Sequence, residues 1–454
     1  MVGFNVFACI RANILINIQQ KAYFCINFNA ELEHMKNLTS FVSEHIKDDT
    51  TRLILDRAKW TDIDVDMAVN CIESRRKLRG KVQEWYDEPE LIFPLKLSAE
   101  QCSSSGTARY KARLTQRIAD AGLQVAGEGM KIADLTGGFG VDSWFFSKVA
   151  DKVLYNEMQT VLADAARHNF SVLEADNIII SNKMVSKDEG STVAEVLGEF
   201  APDIVYLDPA RRGEGGRKVF LIEDCQPDVL GLKEDIFKVS PHFLIKLSPM
   251  ADITMAAERL GRQCREIHIV AAGGECKELL IWMDRDWDDD YSVITCEISN
   301  DSTEYKGLTF KPSEERESAA LPVEKPLEAA GKWLFEPGKA LMKAGAFNLI
   351  SAKFGIGKLG RSTHYYIVDT PEQALQLKQY GKVFSILRCE PLDKRSIKAA
   401  GKDFPKAEVT ARNIPMDTDT LRKKLGTASS DTTHIFGLKS DTAGNLLIIT
   451  TSKI

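Results

Sequence analysis

Three short segments carry residue types that could do chemistry around a bound nucleotide-like ligand. The first is KIADLTGGFGVD, residues 131–142. An apolar run ends at Asp134 and passes through Leu135, Thr136, Gly137, Gly138, Phe139 and Gly140 into a second apolar stretch. Glycines at a strand-to-helix turn let the chain reverse sharply and let a ligand approach the main chain closely. The N–H groups at the start of the following helix point into the same crevice. The second segment is the next apolar run, which ends at Glu157. An acid at that place can accept hydrogen bonds from both hydroxyls of a ribose. The third is IVYLDPARRGEGG, residues 204–216, where four apolar residues run into Asp208-Pro209. Proline fixes the backbone direction and biases the preceding residue toward an extended conformation, which aims the Asp208 carboxylate out of the strand end.

The spacing excludes some ligands. The glycine pattern is D-x-x-x-G-x-G, and Ser143 stands where a dinucleotide fingerprint would have its third glycine. No G-x-x-x-x-G-K-[ST] occurs, so a P-loop is disfavoured. An NAD-dependent oxidoreductase would use Glu157 in the same way and stands as an alternative that the missing glycine opposes. The nine cysteines are scattered with no C-x-x-C pair, and the seven histidines do not cluster with them, so no metal site is expected. An odd set of dispersed thiols suggests a reducing compartment, and a cytoplasmic protein is expected.

These residues need a particular scaffold. Short apolar runs at 131–135, 152–156, 177–181, 203–207, 242–247, 267–271 and 277–283 alternate, in the earlier part, with segments of helical length. Strand–helix alternation argues for an open, mostly parallel sheet covered on both faces. The last two runs are joined by AGGE at 272–275, a short glycine turn that makes them antiparallel neighbours. Upstream, residues 35–120 read as a helical domain, with helical periodicity over 42–58 and 64–85. A basic helix there carries Arg109, Lys111, Arg113 and Arg117, which could touch phosphates or form a solvated face. Residues 1–34 lack helical periodicity and a signal-peptide pattern and are expected to be a poorly ordered extension. The core is expected over 121–285, a small β element and polar linker over 286–330, and a mixed α+β module over 331–454.

Taken together, the three segments resemble the motifs of class I S-adenosylmethionine (SAM)-dependent methyltransferases, over about residues 105–285. That resemblance implies a Rossmann-like seven-stranded α/β core. Asp134, Gly138 and Gly140 match the motif that holds the methionine part of SAM, and Thr136 in the same turn is expected to join them. Glu157 matches the ribose-binding acid, and Asn182 stands at the third-strand position that contacts adenine. Asp208 and Pro209 match the fourth-strand motif facing the transferred methyl, with Arg211 completing the expected catalytic set. Helix 165–173 with Asn169, and Asn177 beyond it, also resembles nucleic-acid-modifying members. C-S-S-S-G-T-A-x-Y-K-A, G-G-E-C-K-E at 273–278 and the basic C-terminal module resemble one bacterial group of such methyltransferases with a THUMP-like C-terminal domain. THUMP domains bind RNA, so this resemblance implies RNA, tRNA or rRNA, as the substrate.

Two departures bear on the target atom. Amino-group methyltransferases typically carry Asp/Asn-Pro-Pro-aromatic, the ring stacking on the target base. Here Asp208-Pro209 is followed by Ala210-Arg211, and a guanidinium plane could stack or bind phosphate instead. The D-P-x-R pattern also looks like uracil-C5 methyltransferases, but their nucleophilic cysteine is replaced by Ser248. Lys246 and Arg212 could hold RNA phosphates near the mouth. The expected activity is methylation of an RNA base amino group by direct in-line transfer. The alternative is a SAM-binding, RNA-associated protein whose transferase activity is lost or altered.

Composition agrees with a multidomain globular chain. At 44% hydrophobic and 27% charged over 454 residues, it is neither disordered nor fibrous. No apolar stretch approaches the ~20 residues of a membrane helix. The net charge of −6 conceals an asymmetry: residues 331–454 hold 20 Lys+Arg against 11 Asp+Glu, or +9, leaving −15 for the rest. A basic module on an acidic body suggests a polyanionic partner.

Overall fold

The computed structural model describes residues 36–122, 129–211, 222–298, 307–430 and 432–452. The expected extension at 1–34 lies outside them. The chain divides into two compact units, Met1–Tyr206 and Leu207–Ile454, with the division at the end of the fourth strand.

In the first unit, β1 (Lys131–Asp134), β2 (Lys152–Asn156), β3 (Ile178–Ser181) and β4 (Ile204–Leu207) lie in the order β3-β2-β1-β4. β1 pairs in parallel with both β2 and β4, and β2 in parallel with β3. The strands are short and apolar because helices Val141–Ser147, Thr160–Val172 and Val193–Leu197 alternate with them, and a parallel sheet is buried on both faces. β4 is buried along its whole length.

The helical region departs from its expected boundaries for local reasons. The periodic stretch 42–58 is broken into a helix over 36–44, helix Thr50–Leu55 and a 3-10 turn. Asp49 causes the break, because its side chain caps Thr51 N and starts a new helix. Helix Val65–Leu78, capped by Asp64, stops short of Trp85 because Gly80 takes φ +71°. The buried Arg75 then donates to the carbonyls of Tyr86, Glu88, Pro89 and Leu91 and so ties down the proline-containing segment.

In the second unit, strand His242–Leu247 is antiparallel to Glu275–Asp284, which is antiparallel to Cys264–Ala272. The hairpin turns at Gly273 and Gly274, with φ +60° and +78°, the primed-turn conformation that glycine allows. β1–β4 and these three strands are the seven expected of the core, with its antiparallel end. Residues 286–298 and 307–330 are described, and the first of these contains part of the expected small β element. Ser292–Ile298 adds a parallel strand beside Cys264–Ala272, and Thr309–Phe310 pairs with it in turn. Within the stretch expected to be a polar linker lies helix Pro312–Glu317, whose Glu315 accepts from Asn348 N and Leu349 N.

The C-terminal module is one eight-stranded sheet. Its order is Leu321–Pro322, Gly357–Lys358, Tyr366–Val368, Trp333–Pro337, Gly381–Pro391, Gly444–Thr451, Thr433–Ser440 and Glu408–Arg412. Helices Lys394–Asp403 and Thr418–Leu425 bury Ile397, Ala400, Leu421 and Leu425 in one core cluster with strand residues Val409, Ile435, Leu447 and Ile449. Gly401 is required there, since a Cβ would lie 1.9 Å from the Leu425 carbonyl oxygen.

Candidate functional site

The turn after β1 is held almost wholly by backbone groups. Leu135 N donates to Tyr206 O at 3.1 Å, Gly137 N to Asn156 O at 2.7 Å, and Gly140 N to Gly137 O at 2.8 Å. Asp134 lies beneath the turn, about 1% exposed. Its Oδ1 accepts from Thr136 N at 3.1 Å and its Oδ2 from Ser143 Oγ at 2.6 Å, so it locks the strand end to the helix start. Thr136 enters this arrangement through its backbone.

The three glycines do different work. A Cβ on Gly137 would lie 2.1 Å from the Tyr155 ring, and one on Gly140 would lie 2.6 Å from Phe170. Gly140 also adopts φ +87° to cap helix Val141–Ser147. Gly138, at φ +53°, would meet nothing nearer than 4.0 Å, so its outward side is the open one. Gly138 is therefore where a ligand can reach the main chain, whereas Gly137 and Gly140 are demanded by packing. The Tyr155 hydroxyl donates to Gly138 O at 2.6 Å. Burial, with Glu157 and Asp134 nearby, pushes this hydroxyl well above the usual tyrosine range, so it remains a donor.

Glu157 is joined to the same turn. Its Oε2 accepts from Gly138 N at 2.9 Å and its Oε1 from Gln159 N at 2.8 Å. Each carboxylate oxygen thus has one fixed N–H donor and a second lone pair for another donor. Met158, next in sequence, is 53% exposed and offers an apolar surface beside the acid. Asn182 supports Glu157 from behind: its Nδ2 donates to Glu157 O at 2.6 Å, and its Oδ1 accepts from Thr160 Oγ at 3.0 Å.

A buried polar cluster that sequence reasoning missed underlies the helix start. Lys111, with no side-chain exposure, lies 3.2 Å from Asp142 Oδ1 and donates to Ser103 Oγ at 2.9 Å. Ser103 Oγ and Tyr206 Oη each donate to Asp142 Oδ2 at 2.9 Å. Lys111 is therefore not a phosphate contact, and Arg109 pairs with Glu84. Asn169 and Asn177 are structural as well. Asn169 binds both backbone groups of Ile92, and Asn177 donates to the carbonyls of Ser147 and Ala150.

In the second unit, Asp208 is half-buried and Pro209 is buried. The backbone of Ala210–Arg211 pairs antiparallel with Cys225–Gln226. The Arg211 side chain and all of Arg212 lie outside what is described. Lys246 forms an ion pair with Asp208, Nζ to Oδ2 at 2.5 Å, rather than standing as an independent phosphate contact. Ser248 Oγ accepts from Met250 N at 3.2 Å, which shapes the turn after the strand. His242 packs edge-on to Trp282 at the start of the same strand. Among the described residues no group of three or more His, Cys, Asp or Glu could hold a metal ion. Nor is any described helix long and apolar enough to cross a membrane.

Residues 333–374 match a family described as a ferredoxin-like domain, and residues 381–452 one described as THUMP domain-like. Two proteins of Mycobacterium tuberculosis, from strains CDC 1551 and H37Rv, are each 24% identical over 382 residues, 82% of this chain and 89% of theirs. Both are named uncharacterized S-adenosylmethionine-dependent methyltransferases. The crystal structure of a candidate methyltransferase from Porphyromonas gingivalis W83 superposes with a TM-score of 0.76 at 26% identity. It covers 93% of this chain and 99% of its own.

Proposed function

We propose that this chain, which is a class I SAM-dependent methyltransferase with a THUMP-like C-terminal domain, methylates a base amino group in RNA, with Asp208 receiving the amine. The residues present fit the cofactor. Glu157 has lone pairs suited to ribose hydroxyls, Met158 gives an apolar surface suited to a purine, and Gly138 leaves the main chain open for the methionine part. Asp134 and Asn182 contribute by shaping that site, through the bonds they make to Thr136, Ser143 and Glu157. When bound, SAM supplies a methyl group activated by its sulfonium leaving group.

The chain's own task is then orientation. Asp208 accepts a hydrogen bond from the target amine and stabilises the positive charge that develops on nitrogen. Transfer is direct and in-line, with Ser248 standing where the cysteine of a covalent route would be and accepting from Met250 N in its turn. Pro209, buried behind Asp208, fixes the direction of the carboxylate, and Arg211 follows where it can meet a base or a phosphate.

The observation that carries the RNA reading is the THUMP-like region itself, residues 381–452. Its two helices bury one face and expose Lys394, Arg395, Lys398, Lys402, Lys423 and Lys424 on the other. Such a surface suits a phosphate backbone of tRNA or rRNA. The test is mass spectrometry of RNA nucleosides from cells with and without the gene, complemented with wild type or Asp208→Ala. One methylated nucleoside should vanish on deletion and return only with the wild type. Asp208→Ala should keep SAM affinity while lowering transfer by on the order of 100-fold. Full restoration by Asp208→Ala would reject this role. A second reading, a SAM-binding protein without transferase activity, draws on the engagement of Asp208 by Lys246, and an unchanged nucleoside profile on deletion would favour it.

A further inference from the structure

Tyr155 stands one residue before the end of β2 and is fully buried. Its ring is fixed by its neighbours. A Cβ on Gly137 would lie 2.1 Å from it and one on Gly140 3.5 Å, while Phe170 meets it edge-on with centroids 5.4 Å apart. That packing sets where the hydroxyl stands, and the hydroxyl donates to Gly138 O at 2.6 Å.

The bond also orients the next N–H. The Gly138–Phe139 peptide is trans, so its C=O and N–H point in opposite directions. With Gly138 O turned onto Tyr155, the Phe139 N–H is turned away from Tyr155. The other N–H groups of the turn are already engaged. Leu135 N donates to Tyr206 O, Thr136 N to Asp134, Gly137 N to Asn156 O, Gly138 N to Glu157 and Gly140 N to Gly137 O. Phe139 N is the exception and donates to no described residue. Main-chain N–H groups in folded chains are nearly all bonded, so this one calls for an acceptor. The Phe139 side chain is buried against Phe93, which keeps the residue from swinging toward another partner. Its neighbour Gly138 has the open outward side.

We propose that Tyr155 is a positioning residue, which through Gly138 O turns the Phe139 N–H onto the carboxylate of the cofactor's methionine part. A hydrogen bond to an ionised acceptor is among the stronger ones a main-chain donor can make. Without the hydroxyl, the peptide plane after Gly138 is free to rotate, because glycine restrains it little. This rests on the reading of the glycine turn as the SAM site.

The test compares two uncharged-sulfur ligands by calorimetry on the full-length protein. S-adenosylhomocysteine carries the amino-acid end, and 5′-methylthioadenosine has the same adenosine and thioether without it. Tyr155→Phe keeps the ring and removes only the hydroxyl. It should weaken S-adenosylhomocysteine about tenfold and leave 5′-methylthioadenosine unchanged. A folded Tyr155→Phe protein that loses both ligands equally, or neither, would overturn the proposal, because a merely structural role does not distinguish the amino-acid end. A second measurement uses wild-type protein labelled with nitrogen-15 phenylalanine and so does not depend on the folding of the variant. The Phe139 amide proton should move downfield with S-adenosylhomocysteine and stay in place with 5′-methylthioadenosine. Equal movement with both ligands would overturn the proposal. Failure of the underlying reading looks different: both ligands would bind the wild type and neither would move the Phe139 amide, which would overturn the proposal and the reading together.

Discussion

The turn after β1 and the end of β4 both carry candidate site residues, yet they are built in opposite ways. Around the turn, the main chain does the positioning. Gly138 N meets Glu157, Gly137 N meets Asn156 O, and Asp134 is consumed in tying Thr136 N to Ser143. At the end of β4, side chains do it: Asp208 is placed through an ion pair with Lys246, and Ser248 through its own turn. The difference teaches where this molecule can change. If the turn is the proposed cofactor cradle, its backbone construction tolerates few substitutions, whereas the proposed acceptor site, made of side chains, can be altered one residue at a time. On that proposal, Ala210-Arg211 after Asp208-Pro209, where amino-group methyltransferases have Pro-aromatic, is such an alteration.

The largest expected effect comes from breaking the cradle. Gly137→Ala places a Cβ 2.1 Å from the ring of Tyr155, which is fully buried and holds Gly138 O. The ring must move, and overpacking of this kind costs about 1–3 kcal/mol. SAM affinity should fall on the order of 100-fold, since the hydrogen-bonded Gly138–Glu157 geometry goes with it. Calorimetry on protein with an intact far-ultraviolet spectrum measures this. Near-wild-type affinity would mean that the turn is not the rigid element it is argued to be.

The same contrast explains what could be read from the sequence. The glycine turn, the strand alternation and the hairpin at Gly273-Gly274 are local, because period and turn chemistry lie within a few residues of each other. Pairings across long separations left no such trace. Ser103 meets Asp142 across 39 residues and Tyr206 meets it across 64, so Lys111 read as a surface cation when it is the centre of a buried cluster. The pairing of Lys246 with Asp208, 38 residues away, was not legible for the same reason. Asn169, whose place in its helix resembled nucleic-acid-modifying members, is spent on Ile92, 77 residues away. The small β element expected in 286–330 includes Ser292–Ile298, but its parallel pairing with Cys264–Ala272 was not legible, because the two strands meet across the hairpin between them.

A smaller effect is expected where the second unit exposes charge. Changing Lys394, Arg395, Lys398 and Lys402 together to alanine leaves Ile397 and Ala400 packed and preserves helix propensity. Affinity for total RNA from cells lacking the gene should drop about tenfold, and its salt dependence should flatten. SAM affinity should be untouched. An unchanged salt slope would remove this face from the RNA contact and confine the basic character of the module to solubility.

The smallest effect separates a strut from a wall. Asn182 bonds to Glu157 O and to Thr160, but the Glu157 carboxylate has its own donors in Gly138 N and Gln159 N. Asn182→Ala removes two hydrogen bonds at an exposed position, each worth about 1 kcal/mol or less net. SAM affinity should therefore fall only about two- to threefold, by calorimetry, with the backbone donors still holding the acid. A loss as large as that of Gly137→Ala would reverse the contrast. The ribose acid would then depend on a side chain from the third-strand loop, and the first half of the site would be as open to piecemeal change as the second.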